Sequence, residues 1–212
     1  MISLAFSVIP KEISKDTIKK EAELFPASFL EKNTAYINDI LNKKHLPSIQ
    51  KSLISLKLLL LSLAEFTDSV PILFRDENGR PHFENIDNID FSLSHSDDLA
   101  VCALCISDKS GRVGVDTENI FSKDPTPLSN RFFADGEKKL IQDAVDKNRV
   151  FTELWTKKEA YIKHLGTGLG TPLCSFDVTT DLGLHFETLE IKNNIVSVCA
   201  DVNDFPLKIK EL

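Results

Sequence analysis

The sequence has few of the residues that crosslink small secreted proteins or that attract polyanions. Only four cysteines occur among its 212 residues, and the net charge is −7. Sparse thiols are typical of a reducing compartment, so we expect a cytoplasmic protein. The negative charge argues against a nucleic acid or an anionic membrane held by overall charge, although a local basic pocket stays possible. With 42% hydrophobic and 27% charged residues, the composition is that of an ordinary globular protein.

Two of the cysteines, Cys102 and Cys105, form a C-x-x-C pair that invites a metal or redox interpretation. They lie in the apolar run 99–106, which predicts a β-strand. Residues three apart on a strand point to opposite faces, so these thiols could not share a ligand. No second C-x-x-C follows in the sequence. We therefore interpret both as core cysteines.

An apolar run long enough for a bilayer span of about 20 residues is also missing. The most apolar stretch, 53–66, contains Lys57 and Glu65 and predicts a buried helix. The N-terminal decapeptide has no basic segment before its short apolar run, so it predicts a strand rather than a signal peptide. We expect no membrane partner.

The first half of the chain reads as helices followed by strands. Residues 11–66 look largely helical, with breaks near Pro26 and Pro47. Residues 76–81 predict a polar turn. Extended segments are then expected at three places, 91–95, 99–106 and 112–118. A turn at 107–111 predicts that the last two of these pair as an antiparallel hairpin.

The second half repeats the order of helices before strands. A loop is expected at 119–128, and two helices follow, one over 136–147 with Asp135 as its cap and one from about 150 to 165. Three extended runs then lie near 175–180, 184–191 and 195–201. This order predicts an α+β fold in two α/β lobes, an N-terminal lobe over 1–108 and a C-terminal lobe over 109–212.

The segment Arg112-Val-Gly-Val-Asp-Thr-Glu118 carries two carboxylates on one face of a predicted strand. Alternation places Gly114, Asp116 and Glu118 on that face, with the glycine leaving room for a ligand. Neighbouring like charges repel, so a hard cation would neutralise them. The alternative is a strand end that meets solvent, where such a pair is common.

On the last predicted helix, Glu159 and Lys163 are four residues apart and so share a face. They suit an exposed ion pair worth a few tenths of a kcal/mol, or a third metal carboxylate followed by a phosphate-binding ammonium. Spacing alone does not choose between the two.

The run Phe91-Ser-Leu-Ser-His-Ser96 sets three hydroxyls and an imidazole near the end of a short strand. Together with backbone N–H groups these could hold a phosphate. A Ser–His nucleophile pair is an alternative, but no G-x-S-x-G motif surrounds the serines. A purely structural histidine is the third possibility.

Taken together, these motifs resemble the two-lobed, surfactin-synthetase-activating group of the 4'-phosphopantetheinyl transferase superfamily. That group shows a G-K-P turn, then F-x-L-S-H-S, G-[IV]-D-x-E and W-[TS]-x-K-E-[AS]-x-x-K-x-x-G-x-G-L. The chain carries them in that order, at 79–81, 91–96, 114–118 and 155–169. The resemblance implies two similar lobes related by a pseudo-twofold axis, with the active site between them.

The resemblance also implies roles for particular residues. Asp116, Glu118 and Glu159 would bind Mg²⁺, and Glu159 would help to remove the proton of the acceptor serine. Lys163 would contact the diphosphate and steady the leaving phosphate. The remaining implied coenzyme A contacts are Ser94, His95, Arg80 near the adenosine 3'-phosphate, and Lys51.

The implied reaction moves the phosphopantetheine arm of coenzyme A to a serine of an apo acyl or peptidyl carrier protein and releases 3',5'-ADP. This is the activity of a holo-[acyl-carrier-protein] synthase type enzyme, expected here as a monomer. The alternative is a non-catalytic coenzyme A- or carrier-binding protein on the same fold. Because the chain is itself acidic, we expect carrier docking through an apolar patch, with Phe121, Phe132 and Phe133 as candidates.

Overall fold

Helices and strands alternate along residues 1–108, 111–201 and 208–212, which are the residues that the computed structural model describes, Leu169 by its backbone alone. The strands are β1 (Ile2–Val8), β2 (Leu73–Arg75), β3 (Pro81–Phe83), β4 (Ile89–His95), β5 (Leu99–Ile106), β6 (Val113–Asn119), β7 (His185–Ile191), β8 (Asn194–Ala200) and β9 (Lys208–Glu211). The helices are α1 (Lys15–Glu23), α2 (Ala27–Lys32), α3 (Thr34–Leu41), α4 (Leu46–Leu63), α5 (Thr126–Phe132), α6 (Asp135–Asp143) and α7 (Lys147–Leu165). The predicted α+β class is confirmed.

The first sheet has the strand order β4-β5-β1-β9 and is covered on one face by the N-terminal helices. Helix α4 supplies much of that core, with Leu53, Leu56 and Leu59 all buried. Cys102 belongs to this core, whereas Cys105 belongs to the core on the other face of β5. The prediction of two core cysteines on opposite faces is therefore confirmed.

The second sheet has the order β6-β8-β7, and α7 packs along it. The other face of this sheet packs on the first sheet through a shared apolar layer that includes Leu4, Val101, Val115 and Val198. The turn between β7 and β8 consists of Lys192 and Asn193, both with positive φ. Such a two-residue turn matches the twist of an antiparallel hairpin.

The expected hairpin between 99–106 and 112–118 is wrong. β5 is already paired on both edges, with β1 and with β4. β6 instead pairs antiparallel with β8, where Val115 lies opposite Val198. A strand with both edges occupied accepts no further partner, so the chain starts a new sheet at β6. Residues 109 and 110 of the predicted turn lie outside the described residues.

Three smaller expectations also change. Residues 126–132 of the predicted loop form α5, which has proline at its start, where the missing N–H costs nothing. The cap of α6 is Ala134, whose N–H donates to Glu137 Oε2, and not Asp135. The expected strand near 175–180 is a 3₁₀ turn followed by a loop, since Asp177 accepts bonds from the Thr179 backbone instead of a ladder.

Helix α4 is, among the described residues, long and apolar enough by length and composition alone to cross a membrane. Half of its 18-residue span is buried inside the protein, as in the core helix of many globular proteins. This agrees with the buried helix that the sequence predicts. The division of the chain at 108 and 109 stays a prediction, and β9 crosses it by pairing in parallel with β1.

Candidate active site

Edge strands β4 and β6 of the two sheets are joined through side chains of β4. The N–H of Val113 donates to Asp90 Oδ2 at 2.9 Å, and the N–H of Val115 donates to Ser92 Oγ at 3.0 Å. Alternate polar residues of β4 thus satisfy backbone donors on the edge of β6. The hydroxyl of Ser92, which the sequence grouped with a phosphate site, serves this seam between the sheets.

Lys163 of α7 lies at the end of the seam, where the next polar residue of β4 meets β6. Its Nζ donates to Ser94 Oγ at 2.8 Å, to Asp116 Oδ1 at 2.8 Å and to the carbonyl of Val115 at 3.0 Å. The Ser94 hydroxyl in turn donates to Asp116 Oδ1 at 2.8 Å. The structure therefore brings together three residues that the sequence singled out separately.

Asp116 keeps one carboxylate oxygen unused. Its Oδ2 is buried and has no hydrogen-bond partner among the described residues, and the residue is only 4% exposed. A buried charged oxygen without a donor is costly. Burial first, and then the charge of Asp116, raise the pKa of Glu118 to about 7. The same two causes raise the pKa of Glu159.

This arrangement fits a divalent cation with a preference for oxygen ligands. Hard carboxylate oxygens are what Mg²⁺ binds, and the orphaned oxygen of Asp116 is a free position for it. The carboxylates are close enough for Asp116 to add, after burial, to the raised pKa of both Glu118 and Glu159. Their oxygens do not yet converge on one point: among the described residues, no three Asp, Glu, His or Cys side chains lie close enough to hold a metal ion together.

Gly114 has a different role from the one expected. A Cβ there would lie 1.9 Å from the carbonyl oxygen of Ala160 and 2.5 Å from the backbone nitrogen of His164. The glycine therefore allows α7 to pack directly on β6 and leaves no room for a ligand. That close approach sets Glu159 and Lys163 beside the carboxylates of β6.

Basic side chains surround a second hollow that Lys163 also lines. Lys43, Arg75 and His95 line, with Lys163, a hollow of about 250 Å³. Burial and then the charge of Arg75 lower the pKa of Lys43. Desolvation lowers the pKa of the partly exposed His95, and the charge of Lys51 acts in the same direction. Because positive neighbours add to the lowered pKa of Lys43 and His95, an anion that offset their charge would be favoured here.

Lys43 and Arg75 were missed by the sequence analysis. They are far apart in the chain, on the loop before α4 and at the end of β2, so no spacing pattern connects them. Arg75 lies 4.8 Å above the ring of Tyr36, and Lys43 Nζ donates to Ser52 Oγ at 2.6 Å. Lys51, which the sequence did single out, is held by Asp97 at 2.9 Å.

Arg80 is buried against the protein, at 9% exposure. Its guanidinium bonds to backbone and side-chain acceptors on three elements, including the carbonyl of Lys163 at 3.0 Å and Asp90 Oδ2 at 2.7 Å. The sequence suggested a coenzyme A contact here. The structure buries most of this side chain, although Arg80 also lines a cavity beside α7, and the coenzyme A contact stays a prediction.

A larger apolar cavity of about 530 Å³ opens on the face of α7 that carries Glu159 and Lys163. Phe132 and Leu173 form much of its opposite wall. The site is thus a strip of charges with a cationic hollow on one side and an apolar cavity on the other. Such a strip suits a long substrate with anionic groups at one end and an uncharged arm at the other.

Comparison with known proteins adds an independent line of evidence. The sequence model of the 4'-phosphopantetheinyl transferase superfamily matches residues 112–208. 4'-Phosphopantetheinyl transferase gsp of Aneurinibacillus migulanus is 34% identical over 181 residues, which are 83% of this chain and 70% of that protein.

Two further relatives match shorter parts of the chain. 4'-Phosphopantetheinyl transferase psf-1 of Bacillus pumilus is 38% identical over 108 residues, 50% of this chain and 44% of that protein. 4'-Phosphopantetheinyl transferase Sfp of Bacillus subtilis strain 168 is 33% identical over 146 residues, 61% of this chain and 63% of that protein. All three relatives are named as 4'-phosphopantetheinyl transferases.

Proposed function

The chain belongs to the 4'-phosphopantetheinyl transferase superfamily, and we propose that it loads the serine of an apo acyl or peptidyl carrier protein in a Mg²⁺-dependent reaction. Coenzyme A is the donor substrate, as the family implies. The observation that carries the proposal is the contact of Lys163 with Asp116 and Ser94, which joins three sequence motifs at one point.

The phosphates of coenzyme A would lie along the cationic hollow. Lys43 and Arg75 supply fixed positive charge there, and His95 can donate from its imidazole. Burial first, and then the charge of Arg75, lower the pKa of Lys43, and an entering phosphate would offset both positive charges. The 3'-phosphate is the group we assign to Lys43 and Arg75, and the diphosphate is the group we assign to Lys163.

The transfer forms one bond between the carrier serine oxygen and the β-phosphorus and breaks the phosphoanhydride to 3',5'-ADP. Glu159 would take the serine proton from its place one helical turn before Lys163. Lys163 would stabilise the negative charge that grows on the bridging oxygen as 3',5'-ADP leaves. Little covalent work is left to the protein, whose task is positioning and charge stabilisation.

Asp116, Glu118 and Glu159 would hold the Mg²⁺. When bound, the ion would supply positive charge that offsets the charge of the diphosphate. The unpartnered buried oxygen of Asp116 supports this set, because a bound cation would satisfy it.

The carrier would dock on an apolar patch beside the 530 Å³ cavity, which we define as Phe121 and Phe132. Both rings are half-buried at the surface, and Arg131 lies 4.9 Å above Phe132. Phe133, the third candidate from the sequence, is fully buried in the core and is excluded from docking. The uncharged pantetheine arm would lie in the cavity between this patch and Lys163.

Further expectations go with this function. We propose the holo-[acyl-carrier-protein] synthase type of activity in a cytoplasmic monomer, without a nucleic acid or membrane partner, and with the site between lobes that meet near residue 108. The net charge of −7 supports the absence of a polyanionic partner.

Mass spectrometry of a purified apo carrier tests the proposal. The carrier should gain the mass of one phosphopantetheine group with coenzyme A and Mg²⁺, and Lys163→Met should lower the turnover number far more than coenzyme A affinity. Lys157→Met, a charge loss elsewhere on α7, is the matched control and should load the carrier normally. Binding of coenzyme A or of the carrier with no mass gain would favour the non-catalytic alternative.

A further inference from the structure

Every nitrogen of the Arg80 guanidinium is engaged within the protein. Nε donates to the carbonyl of Lys163 at 3.0 Å, and Nη1 donates to His82 Nδ1 at 3.1 Å. Nη2 donates to Asp90 Oδ2 at 2.7 Å, to the carbonyl of Val113 at 3.2 Å and, more weakly, to that of Phe91 at 3.4 Å. One side chain thus binds β4, β6 and α7 at the same time.

The bond to Lys163 occurs where a helix needs one. The last four carbonyls of α7 have no partner within the helix. Arg80 Nε donates to the carbonyl of Lys163, and Arg112 Nη1 donates to the carbonyl of Leu165 at 3.0 Å. Gly166 makes this possible, because a Cβ there would lie 3.1 Å from Arg80 Cδ. Positive groups at a helix C-terminus also complement the helix dipole.

The turn that carries Arg80 is built to present it. Asp76 Oδ1 accepts the backbone N–H of Arg80 at 2.8 Å, and Asp76 Oδ2 accepts His82 Nε2–H at 2.9 Å. With Nε2 donating, His82 Nδ1 is the acceptor that the guanidinium needs. The side chain therefore reaches α7 from a turn fixed by its own neighbours.

We propose that Arg80 is a positioning residue of the transferase, which fixes the last turn of α7 and so the Lys163 ammonium, and that it is not a ligand of coenzyme A. It holds the helix at one end and, with Asp90, the strand that carries Asp116 at the other. Every nitrogen of its guanidinium already bonds within the protein, so a 3'-phosphate, the contact the sequence suggested, would find at most the second N–H of Nη1. This role rests on the proposed function only through Lys163.

Lysine does not replace arginine in this role. Its single ammonium carries three donors on one atom, whereas the guanidinium spreads five donors over a rigid plane. The guanidinium reaches Lys163, His82 and Asp90 from three different nitrogens, and the one nitrogen of lysine cannot occupy all three positions. A 3'-phosphate ligand, in contrast, would tolerate lysine as a point charge.

Steady-state kinetics with two donors, coenzyme A and 3'-dephospho-coenzyme A, separates the two roles. Arg80→Lys and Asp90→Asn should each lower kcat by the same factor with both donors and change KM little. A misplacement of about 1 Å can cost on the order of 10²-fold in rate, which sets the size expected for Arg80→Lys. Calorimetry should find both donors bound nearly as tightly as by the unmodified enzyme.

Two arginines serve as references in the same assay. Arg75→Gln should raise KM for coenzyme A and leave KM for the dephospho donor unchanged. Arg149→Gln removes an exposed arginine that pairs with Glu153 and Glu190 far from the site, and it should change neither. Thermal unfolding identifies any variant that fails to fold, and Asp90→Asn, which keeps an acceptor for Val113, then carries the test.

Opposite outcomes would overturn the inference. Full activity of Arg80→Lys, or a defect seen with coenzyme A but absent with the dephospho donor, would make Arg80 a phosphate ligand. An unmodified enzyme that loads no carrier would contradict the proposed function instead. If Arg75→Gln changed KM equally for both donors, the 3'-phosphate would have to bind elsewhere, and the kcat results for Arg80 would still decide its role.

Discussion

Helix α7 carries two lysines, five residues apart, that each pair with a carboxylate of another element. The two nitrogen–oxygen distances are nearly equal, but the surroundings of the pairs differ. Lys158 Nζ lies 2.7 Å from Glu137 Oε2, and Lys163 Nζ lies 2.8 Å from Asp116 Oδ1. The first pair is completely buried, with both side chains at 0% exposure. The second opens to the cleft, where the lysine side chain is 29% exposed.

The buried pair is fully satisfied. Lys158 donates to Glu137 and to the carbonyls of Leu173 and Phe176, and it lies 4.2 Å above the Phe176 ring. Glu137 accepts the backbone N–H groups of Ala134 and Val178. All of these contacts fasten α6, α7 and the 173–178 segment to one another, so this pair stabilises the fold beneath the site.

The cleft pair is incomplete by comparison. Asp116 has a buried oxygen with no partner, and two further carboxylates nearby have raised pKa values. A stabilising pair uses every donor and acceptor, whereas a pair that awaits a ligand leaves some free. Sequence spacing cannot distinguish the two, since both lysines lie in the same motif.

Loss of one partner from the buried pair should produce the largest effect. Glu137→Ala leaves the Lys158 ammonium buried without its counter-charge, which costs about 3–5 kcal/mol. We expect that loss in the free energy of unfolding from urea titrations. Glu190→Ala removes a surface partner of Arg149, and solvent screening means that it should lower the free energy of unfolding far less. Similar losses in both variants would contradict the contrast between the pairs.

The cleft pair should respond in activity and not in stability. Asp116→Asn keeps the size of the side chain but removes the charge beside Lys163, and we expect transfer to fall by about 10²–10³-fold. Without Mg²⁺ the melting temperature should stay the same or rise, because repulsion from Glu118 and Glu159 is relieved. A melting temperature as low as that of Glu137→Ala would place Asp116 among the structural residues.

The pH dependence of stability should also separate the two regions. Because the folded pKa of Glu118 is about 7 and its ordinary value is 4.5, the folded protein keeps a proton that the unfolded chain loses between these values. Stability therefore falls as the pH rises through this window. Glu118→Gln should melt above the unmodified protein at pH 8 without divalent cations.

Well below pH 4.5 the advantage of Glu118→Gln should disappear, since Glu118 is then protonated in both states. Glu187→Gln, on the exposed face of β7, is the matched control and should show no such crossover. A constant difference in melting temperature at every pH would mean that packing, and not charge, distinguishes the Glu118 variant.

The smallest effect is expected for carrier docking. If Phe121 and Phe132 supply the contact, carrier affinity should change little, or even improve, from low to physiological salt. Phe121→Ala changes the patch residue that does not line the cavity assigned to the pantetheine arm, so it should weaken carrier binding and spare coenzyme A affinity, measured by titration of each ligand. A steep fall in affinity with salt would assign docking to basic side chains such as Arg131.

Much of the fold followed from local pattern. Strands β1, β5 and β8 and helices α4 and α7 lie in strongly periodic or apolar segments, and their existence was predicted correctly. The pairing of β6 was not, because strand partners depend on which edges distant segments have already occupied. Strands β2, β3 and β9 are three or four residues long and left no periodic signal.

The candidate site divides in the same way. The sequence by itself determined which chemistry is present, because Asp116, Glu118, Glu159 and Lys163 stand in motifs whose spacing sets their faces on a strand and a helix. Only the tertiary structure decided which charges are used up and which stay free. Arg80 turned inward, Lys158 became buried, and Lys43 met Arg75, since burial and hydrogen bonding depend on contacts between residues far apart in the chain.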